Sequence, residues 1–292
     1  PVNQDKLEVS KILFGTASFG GLYDEVGKCS PFEAVSRALE LGINAFDTSP
    51  YYGDSEKVLG SVLSSLNDKY PRSHYYIITK VGRYGPTKKD FDYSPKRVRE
   101  SVEESCRRLR TDYLDVVYTH DVEFVDIEKV VGDDGALMEL FKLKSYSHYC
   151  LQNTLLSTYV PKFKNLGVKY LMNASPLCMA LLTETAPPGW HPAPAELRTV
   201  IPKCVSYAKE NGLNIHKLAV QFSLEWDGAD GTVIGLLNRK QVEEAVSWFN
   251  EVMDRKNGEK NVDNMEMIIV QEIQRMMGGW LNWSWESPAT ET

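Results

Sequence analysis

The sequence predicts an α/β protein folded as a (β/α)8 (TIM) barrel, with its active site at the C-terminal mouth of the strands. Short apolar runs typical of buried strands alternate with segments whose apolar residues recur at helical spacing. Short turns join the two kinds of segment, as in parallel βαβ units. Polar side chains follow three successive predicted strands, and the ends of those strands share one mouth in such a barrel.

Length and composition agree with one large core. The chain has 292 residues, of which 42% are hydrophobic, and we predict a single barrel domain over residues 1–292. A net charge of −7 weighs against nucleic acid, which requires a basic patch. No apolar run approaches the ~18 residues of a membrane helix, so no membrane partner is expected.

Cysteine usage and the N-terminus suggest a cellular location. The chain has five scattered cysteines and no C-x-x-C spacing, which indicates free thiols in a reducing compartment. Residues 1–5 do not resemble a signal peptide. We therefore expect a cytoplasmic protein.

The first half of the chain contains four predicted strands. Ser30-Pro31 and Ser94-Pro95 each combine an N-cap with a proline at the first helical position, where its missing N–H costs nothing. Gly42 is placed to end the first helix in a left-handed conformation. The strands are predicted at 11–17, 43–46, 75–79 and 114–119, with a helix from 54–56 onward and a later helix that buries Val98, Val102, Cys106 and Leu109.

The second half is less regular. Strands are predicted at 168–172 and 232–234, Pro202 should kink or restart the helix over 196–210, and Asn214 should cap the next helix. Residues 137–143 look helical but run without a turn into 145–149, which look like the interior of a strand. This makes seven strands where a closed barrel needs eight, so we expect that the printed sequence omits a segment of the protein between 144 and 145. The alternative is that the protein itself has lost this segment, and such a deletion would open the barrel.

One stretch combines a strand end with chemistry. Residues 44–53 place Asp47 at the end of a strand and Tyr52 on the loop that follows. Alone, this pattern is equally typical of an ordinary strand–turn–helix junction. Lys80 and His120 follow the next two strands, however, and four such residues at equivalent positions favour a shared site.

These four residues suit proton exchange with a carbonyl or an alcohol. A phenol with an ordinary pKa of about 10 is a poor base at neutral pH. The Lys80 ammonium is expected to lower the pKa of Tyr52, and Asp47 to hold that lysine charged and oriented. His120 can donate a hydrogen bond to the substrate oxygen while a cofactor carries the hydride, so no metal is required. Hydrolase and zinc motifs are absent from the sequence.

At these residues the chain resembles the aldo-keto reductases. The resemblance rests on residues 42–60, on Ile78-Thr79-Lys80-Val81 and on Tyr118-Thr119-His120-Asp121, and it covers most of the chain. It implies a (β/α)8 barrel with a catalytic tetrad of Asp47, Tyr52, Lys80 and His120. The family also has a Gly-Ile/Val-Ser strand where this chain passes from 144 to 145, so its nicotinamide contacts cannot be assigned.

Other motifs are similar to those of family members that oxidise D-arabinose or L-galactose. They lie at 47–53, 120–124, 173–177 and 189–192. The resemblance implies oxidation of the C1 hemiacetal of a D-arabinose, L-galactose or L-fucose type of aldose to its lactone, with hydride transfer to NAD(P) and Tyr52 as acid–base. The implied sugar-binding residues are Tyr52, His120, Trp190 and His191. The loop of Trp190 and His191 is equally able to pack on itself.

The resemblance also implies a dinucleotide site without a Rossmann G-x-G-x-x-G. NADP-preferring members carry a Lys-Ser pair and an Arg at the positions of Leu236, Leu237 and Gln241, and the loss of those cations here favours NAD. Arg239 and Lys240 are possible substitutes for those cations, so NADP stays an alternative. The implied cofactor-binding residues are Gly15, Thr16, Ala17, Asp47, Ser175, Leu177, Gly235, Leu237, Gln241 and Glu244, with core packing an equal explanation for Leu177.

Two further functions stay open at this stage. The same tetrad serves an NAD(P)H-dependent aldehyde or ketone reductase. Some relatives act as cofactor-sensing regulatory subunits of ion channels, although the loop at 189–192 weighs against that function here. A small sugar is the expected partner, and the sequence does not indicate an oligomeric state.

Overall fold

A computed structural model describes residues 7–21, 30–122, 148–165, 168–258 and 264–284. The strands in these ranges are β1 (Ile12–Gly15), β2 (Ala45–Asp47), β3 (Tyr76–Val81), β4 (Val116–Thr119), β5 (Met172–Ala174) and β6 (Gly231–Gly235). The helices are α1 (Pro31–Glu40), α2 (Ser55–Ser65), α3 (Pro95–Leu109), α4 (Leu156–Asn165), α5 (Ala195–Glu210), α6 (Ile215–Glu225), α7 (Arg239–Lys256) and α8 (Asn264–Met277). The predicted helix at 137–143 and the 144/145 junction lie outside the described residues.

The chain divides into two compact units. The first comprises Pro1–Lys144, Gly235–Glu244 and Ser287–Thr292, and the second Ser145–Ile234 and Ala245–Glu286. In the first unit β1, β2, β3 and β4 pair side by side in parallel. Parallel pairing places the carboxyl ends of these strands along one edge.

The predicted helix starts are confirmed. The Ser30 hydroxyl accepts a hydrogen bond from the Glu33 N–H at 3.2 Å, and the Ser94 hydroxyl accepts one from the Arg97 N–H at 3.3 Å. In both helices a proline follows the cap, where no intrahelical donor is needed. Gly42 has φ 85°, the left-handed conformation expected after α1.

The buried face of α3 differs from the predicted one. Ser101, Ser105 and Leu109 are buried, whereas Val98, Val102 and Cys106 are only partly buried. The reason is the close approach of α2, since a Cβ on Gly60 would lie 2.6 Å from the Leu109 Cα. Small serines fit a helix contact this tight better than branched apolar side chains do.

The second unit pairs β5 with β6 in parallel. The strand predicted at 168–172 forms instead at Met172–Ala174, because Asn173 is stabilised inside it. The Asn173 amide accepts a hydrogen bond from the Tyr149 N–H and donates one to the Tyr149 carbonyl, both at 2.8 Å. His148 and Tyr149 have no regular structure, contrary to the strand interior predicted there.

The helices of the second unit follow the sequence more closely. Asn214 caps α6 by accepting a hydrogen bond from the Lys217 N–H at 3.2 Å, as predicted. Pro202 lies inside α5, which continues through it as one helix without a restart.

Cys106, Cys150, Cys178 and Cys204 are free thiols. In the described part of the chain, no helix has both the length and the apolar character needed to cross a bilayer.

Candidate active site

Strand register brings three of the tetrad side chains to one face of the sheet. Asp47 is paired with Ile78, and Lys80 is paired with Tyr118. Paired residues on neighbouring strands point to the same side of a sheet, and so do residues two apart along one strand. Asp47 therefore shares a face with Ile78, and Ile78 shares that face with Lys80. The His120 N–H donates to the Val81 carbonyl at 2.8 Å, which continues the pairing one step beyond β4 and places His120 on that same face.

Asp47 and Lys80 form a buried ion pair. The Lys80 Nζ donates to Asp47 Oδ1 at 2.7 Å and to the Thr48 carbonyl at 2.8 Å. The Lys80 side chain is only 13% exposed, and the Asp47 side chain only 9%. Burial raises the pKa of Asp47, and the lysine opposes this. Burial alone would lower the pKa of Lys80, but Asp47 and Tyr52 outweigh it, and the pKa is raised. The lysine therefore stays an ammonium.

Tyr52 lies against this ammonium. The Lys80 Nζ is 4.8 Å from the centroid of the Tyr52 ring. Contrary to the expectation from sequence, the pKa of Tyr52 is raised above its ordinary value. Burial of the phenol is the main cause, Asp47 and Asp121 add to it, and Lys80 only opposes it. Tyr52 is thus a neutral phenol at neutral pH.

Hydroxyl groups behind the site hold the end of β2 in place. The Ser55 hydroxyl lies 2.7 Å from the Thr16 hydroxyl and 2.9 Å from the Thr48 hydroxyl, and Thr16 Oγ1 donates to the Asp47 carbonyl at 2.9 Å. All of these groups are buried. They fix the backbone that carries Asp47.

A close backbone contact fixes the position of Tyr52. A Cβ on Gly20 would lie 1.9 Å from the Tyr52 carbonyl oxygen, so the segment Ala17–Gly20 packs directly on the Tyr52 backbone. That contact requires a residue without a side chain at position 20.

We expect Gly20→Ala to displace Tyr52. A shift of the phenol by about 1 Å should reduce kcat by roughly 10²-fold, and overpacking should cost about 1–3 kcal/mol of unfolding free energy. Steady-state kinetics and urea unfolding measure both effects. Gly279→Ala is the matched control, because a Cβ there meets no atom within 4 Å. Equal kcat values for the two variants would contradict the positioning role of Gly20.

His120 is neutral and tightly surrounded. Burial lowers its pKa to about 3, with Lys80 and Arg83 adding to the effect and Asp121 opposing it. Its Nδ1 lies 3.0 Å from the Ser49 hydroxyl, and its ring stands edge-on to that of Tyr52, with centroids 5.6 Å apart. The imidazole is therefore available as a hydrogen-bond donor without carrying charge.

A second group of residues, which the sequence analysis missed, surrounds His120. Arg83 is buried, forms an ion pair with Asp121 and donates to the Tyr51 hydroxyl at 3.1 Å. Its guanidinium lies 4.1 Å from the centroid of the Tyr51 ring, and Tyr93 donates to the His120 carbonyl. Asp121 and Tyr51 lie inside motifs already noted, whereas no local pattern singles out Arg83.

Several predicted cofactor residues lie together in the first unit. The Leu236 N–H donates to the Gly15 carbonyl at 3.1 Å, and the Ser18 hydroxyl donates to the Leu236 carbonyl at 2.8 Å. The end of β1, with Thr16 and Ala17, thus adjoins the segment that begins at Gly235. The Thr16 side chain is turned into the hydroxyl network and is buried, so any contact with a cofactor would come from its backbone.

Three side chains at the start of α7 have partners within the protein. The Gln241 side chain accepts a hydrogen bond from the Leu237 N–H at 2.7 Å. Arg239 pairs with Glu243 at 3.0 Å, and Lys240 pairs with Glu244 at 3.6 Å. Both cations that were considered for a 2′-phosphate already have a carboxylate beside them.

The remaining predicted residues belong to the second unit. Ser175 has φ 57° in a turn, and Leu177 packs against the apolar core of that unit. His191 is buried, with Nε2 2.9 Å from the Cys178 carbonyl and Nδ1 accepting from the Ala193 N–H at 3.0 Å. Trp190 is 50% exposed. A sugar contact of Trp190 or His191 stays a prediction, and for His191 it would require these bonds to break.

Comparisons with known proteins agree with this geometry. The Aldo/keto reductase family model matches residues 11–145. A holo-form aldo-keto reductase from Bacillus halodurans superposes with a TM-score of 0.59 at 22% identity, covering 91% of this chain and 93% of that one. The predicted (β/α)8-barrel class is confirmed, with six strands in the described residues.

Two curated relatives match nearly the whole chain. An L-galactose dehydrogenase from Arabidopsis thaliana is 35% identical, covering 90% of this chain and 91% of the relative. A D-arabinose 1-dehydrogenase from Saccharomyces cerevisiae is 32% identical, covering 93% of this chain and 91% of the relative. With this similarity along its length, the chain belongs to the aldo/keto reductase family of oxidoreductases, whose members use nicotinamide cofactors.

Proposed function

We propose that this protein is an aldose 1-dehydrogenase that oxidises the C1 hemiacetal of a D-arabinose, L-galactose or L-fucose type of sugar to its lactone. The observation that carries the proposal is the linked set of Asp47, Lys80 and Tyr52 beside a neutral His120. The names of the two relatives above support the choice of a sugar. The alternatives are an aldehyde or ketone reductase and a cofactor-sensing regulatory subunit.

The residues divide the chemistry between them. The neutral His120 donates a hydrogen bond that orients the sugar hydroxyl at C1. Tyr52, as phenolate, takes the proton of that hydroxyl, and the Lys80 ammonium stabilises the negative phenolate oxygen. Asp47 holds Lys80 in place through the 2.7 Å bond. When bound, a nicotinamide cofactor would supply the hydride acceptor for C1.

The residues at the end of β6 fit a dinucleotide. Gly235 is exposed, and open space surrounds the position that a Cβ would take. The N-terminus of α7 follows, and a helix N-terminus favours phosphate. We propose NAD as the cofactor, because Arg239 and Lys240 are paired with carboxylates and are poorly placed to neutralise a further phosphate. NADP stays the alternative.

We expect the rate of sugar oxidation to rise with pH. The pKa of Tyr52 is raised above its ordinary value, so below that pKa each pH unit increases the phenolate fraction about tenfold. The reverse reduction needs the protonated phenol and should not rise in this range. Rates measured between about pH 6 and pH 10 test this sign. A flat oxidation profile would contradict a phenolate base.

The deciding experiment follows absorbance of the reduced nicotinamide. D-Arabinose, L-galactose and L-fucose are each offered with NAD and then with NADP, and we expect rapid reduction of NAD by at least one sugar. Faster reduction of NADP would overturn the cofactor proposal. No reaction with sugars, together with oxidation of reduced cofactor by simple aldehydes, would favour the reductase. No turnover in either direction with cofactor still bound would favour the regulatory subunit.

A further inference from the structure

Ser49 is a polar neighbour of the His120 ring. Its hydroxyl oxygen lies 3.0 Å from His120 Nδ1, and both residues are buried. Ser49 occupies the turn between Asp47 and Tyr52, so it is held by the same backbone as the tetrad. The Tyr52 N–H donates to the Ser49 carbonyl at 3.0 Å, which closes this turn.

The hydrogen-bonding capacity of the serine decides which way this bond runs. A hydroxyl has one proton to donate and two lone pairs that accept. The Tyr51 N–H, a pure donor, points at the Ser49 oxygen at 3.2 Å. Among the described residues, the remaining partner of this hydroxyl is His120 Nδ1, so the serine proton is donated to that nitrogen. A proton on Nδ1 would leave the buried serine proton without an acceptor, which is unfavourable.

The opposite side of the imidazole favours the same arrangement. His120 Nε2 lies 3.6 Å from Asp121 Oδ2, too far for a hydrogen bond but close enough to favour a proton on Nε2. Arg83 holds that carboxylate through its ion pair. Since the ring is neutral, it carries one proton, and both neighbours place it on Nε2.

We propose that Ser49 is a positioning residue that fixes His120 as the Nε2–H tautomer, so that Nε2 always presents a proton to the substrate oxygen. Without the serine hydroxyl, the ring is free to exchange its proton between the two nitrogens and to rotate. Only the fraction with a proton on Nε2 and the correct orientation would then assist the reaction. The kinetic part of this inference rests on the proposed function, whereas the tautomer itself does not.

The tautomer is measured on the protein alone. Long-range proton–nitrogen NMR of protein labelled with ¹⁵N-histidine distinguishes a protonated ring nitrogen from an unprotonated one, and His120→Gln identifies the His120 signals among the five histidines. We expect wild-type His120 to show Nε2 protonated and Nδ1 unprotonated. In Ser49→Ala the two nitrogens should shift toward a mixture. A protonated Nδ1 in the wild type would overturn the inference, and this measurement needs no substrate.

Kinetics test the consequence. Ser49→Ala should lower kcat by about tenfold or more, within the roughly 10²–10⁴-fold that a positioned proton donor contributes. The KM for the cofactor should stay unchanged, and Ser49→Thr, which keeps the hydroxyl, should recover both the rate and the tautomer. Ser101→Ala is the matched control, because Ser101 is also buried and its hydroxyl has no partner among the described residues.

The outcomes separate this inference from the proposed function. A wild-type kcat in Ser49→Ala, with a single unchanged tautomer, would overturn the positioning role while leaving the dehydrogenase intact. Absence of sugar oxidation in the wild type would overturn the proposed function, and the NMR measurement would still decide the role of Ser49.

Discussion

Replacing Tyr52 with phenylalanine should reduce sugar oxidation to background, a loss of at least about 10²–10⁴-fold. The substitution removes the phenolic oxygen, which is the proton acceptor in the proposed reaction, and keeps the ring that packs on Lys80 and His120. Cofactor affinity should be nearly unchanged. Turnover is measured by nicotinamide absorbance, and cofactor binding by a fluorescence titration.

The neighbouring tyrosine provides a matched control. Tyr51→Phe removes the same atom one residue earlier, where the hydroxyl accepts a bond from Arg83 and belongs to the group around His120. We expect a smaller loss in kcat from Tyr51→Phe than from Tyr52→Phe. A near-normal turnover rate for Tyr52→Phe would show that Tyr52 is not the proton acceptor.

Replacing Asp47 with asparagine should cost both activity and stability. The substitution preserves shape but leaves the Lys80 ammonium buried without a counter-charge. Breaking a buried ion pair in this way costs about 3–5 kcal/mol of unfolding free energy. Activity should fall as well, since an uncompensated ammonium tends to lose its proton and then no longer stabilises the phenolate. Urea unfolding and steady-state kinetics measure the two effects.

A double variant separates stability from chemistry. Combining Asp47→Asn with Lys80→Met removes both charges, so most of the lost stability should return, as is observed when buried ion pairs are replaced by apolar residues. Activity should stay at background because nothing then stabilises the phenolate. Wild-type stability for Asp47→Asn alone would show that the pair is solvated and would contradict its burial in the structure.

Features encoded over a few residues were predicted correctly from the sequence. The caps at Ser30, Ser94 and Asn214 depend on one side chain reaching an N–H three residues ahead, so their spacing is sufficient evidence. The meeting of Asp47 with Lys80 was also predictable, because parallel strands align their carboxyl ends. Asp47 ends β2 and His120 follows β4, and only their combination with the other two residues singled them out.

Features that depend on distant packing were not predicted. The serine face of α3 follows from the close approach of Gly60. β5 extends over Asn173 because Tyr149 satisfies its amide. Arg83 shows no local signal, since its partners Asp121 and Tyr51 lie about thirty or more residues away in the chain.

The sequence by itself determined which four residues are proposed as the tetrad, because residue type and strand-end position are local properties. The tertiary structure decided the electrostatic state of those residues. Burial reverses the expected direction for Tyr52, raising its pKa despite the adjacent ammonium, and holds His120 neutral. Desolvation depends on everything packed around a group, including segments far away in sequence, and no spacing of residues encodes it.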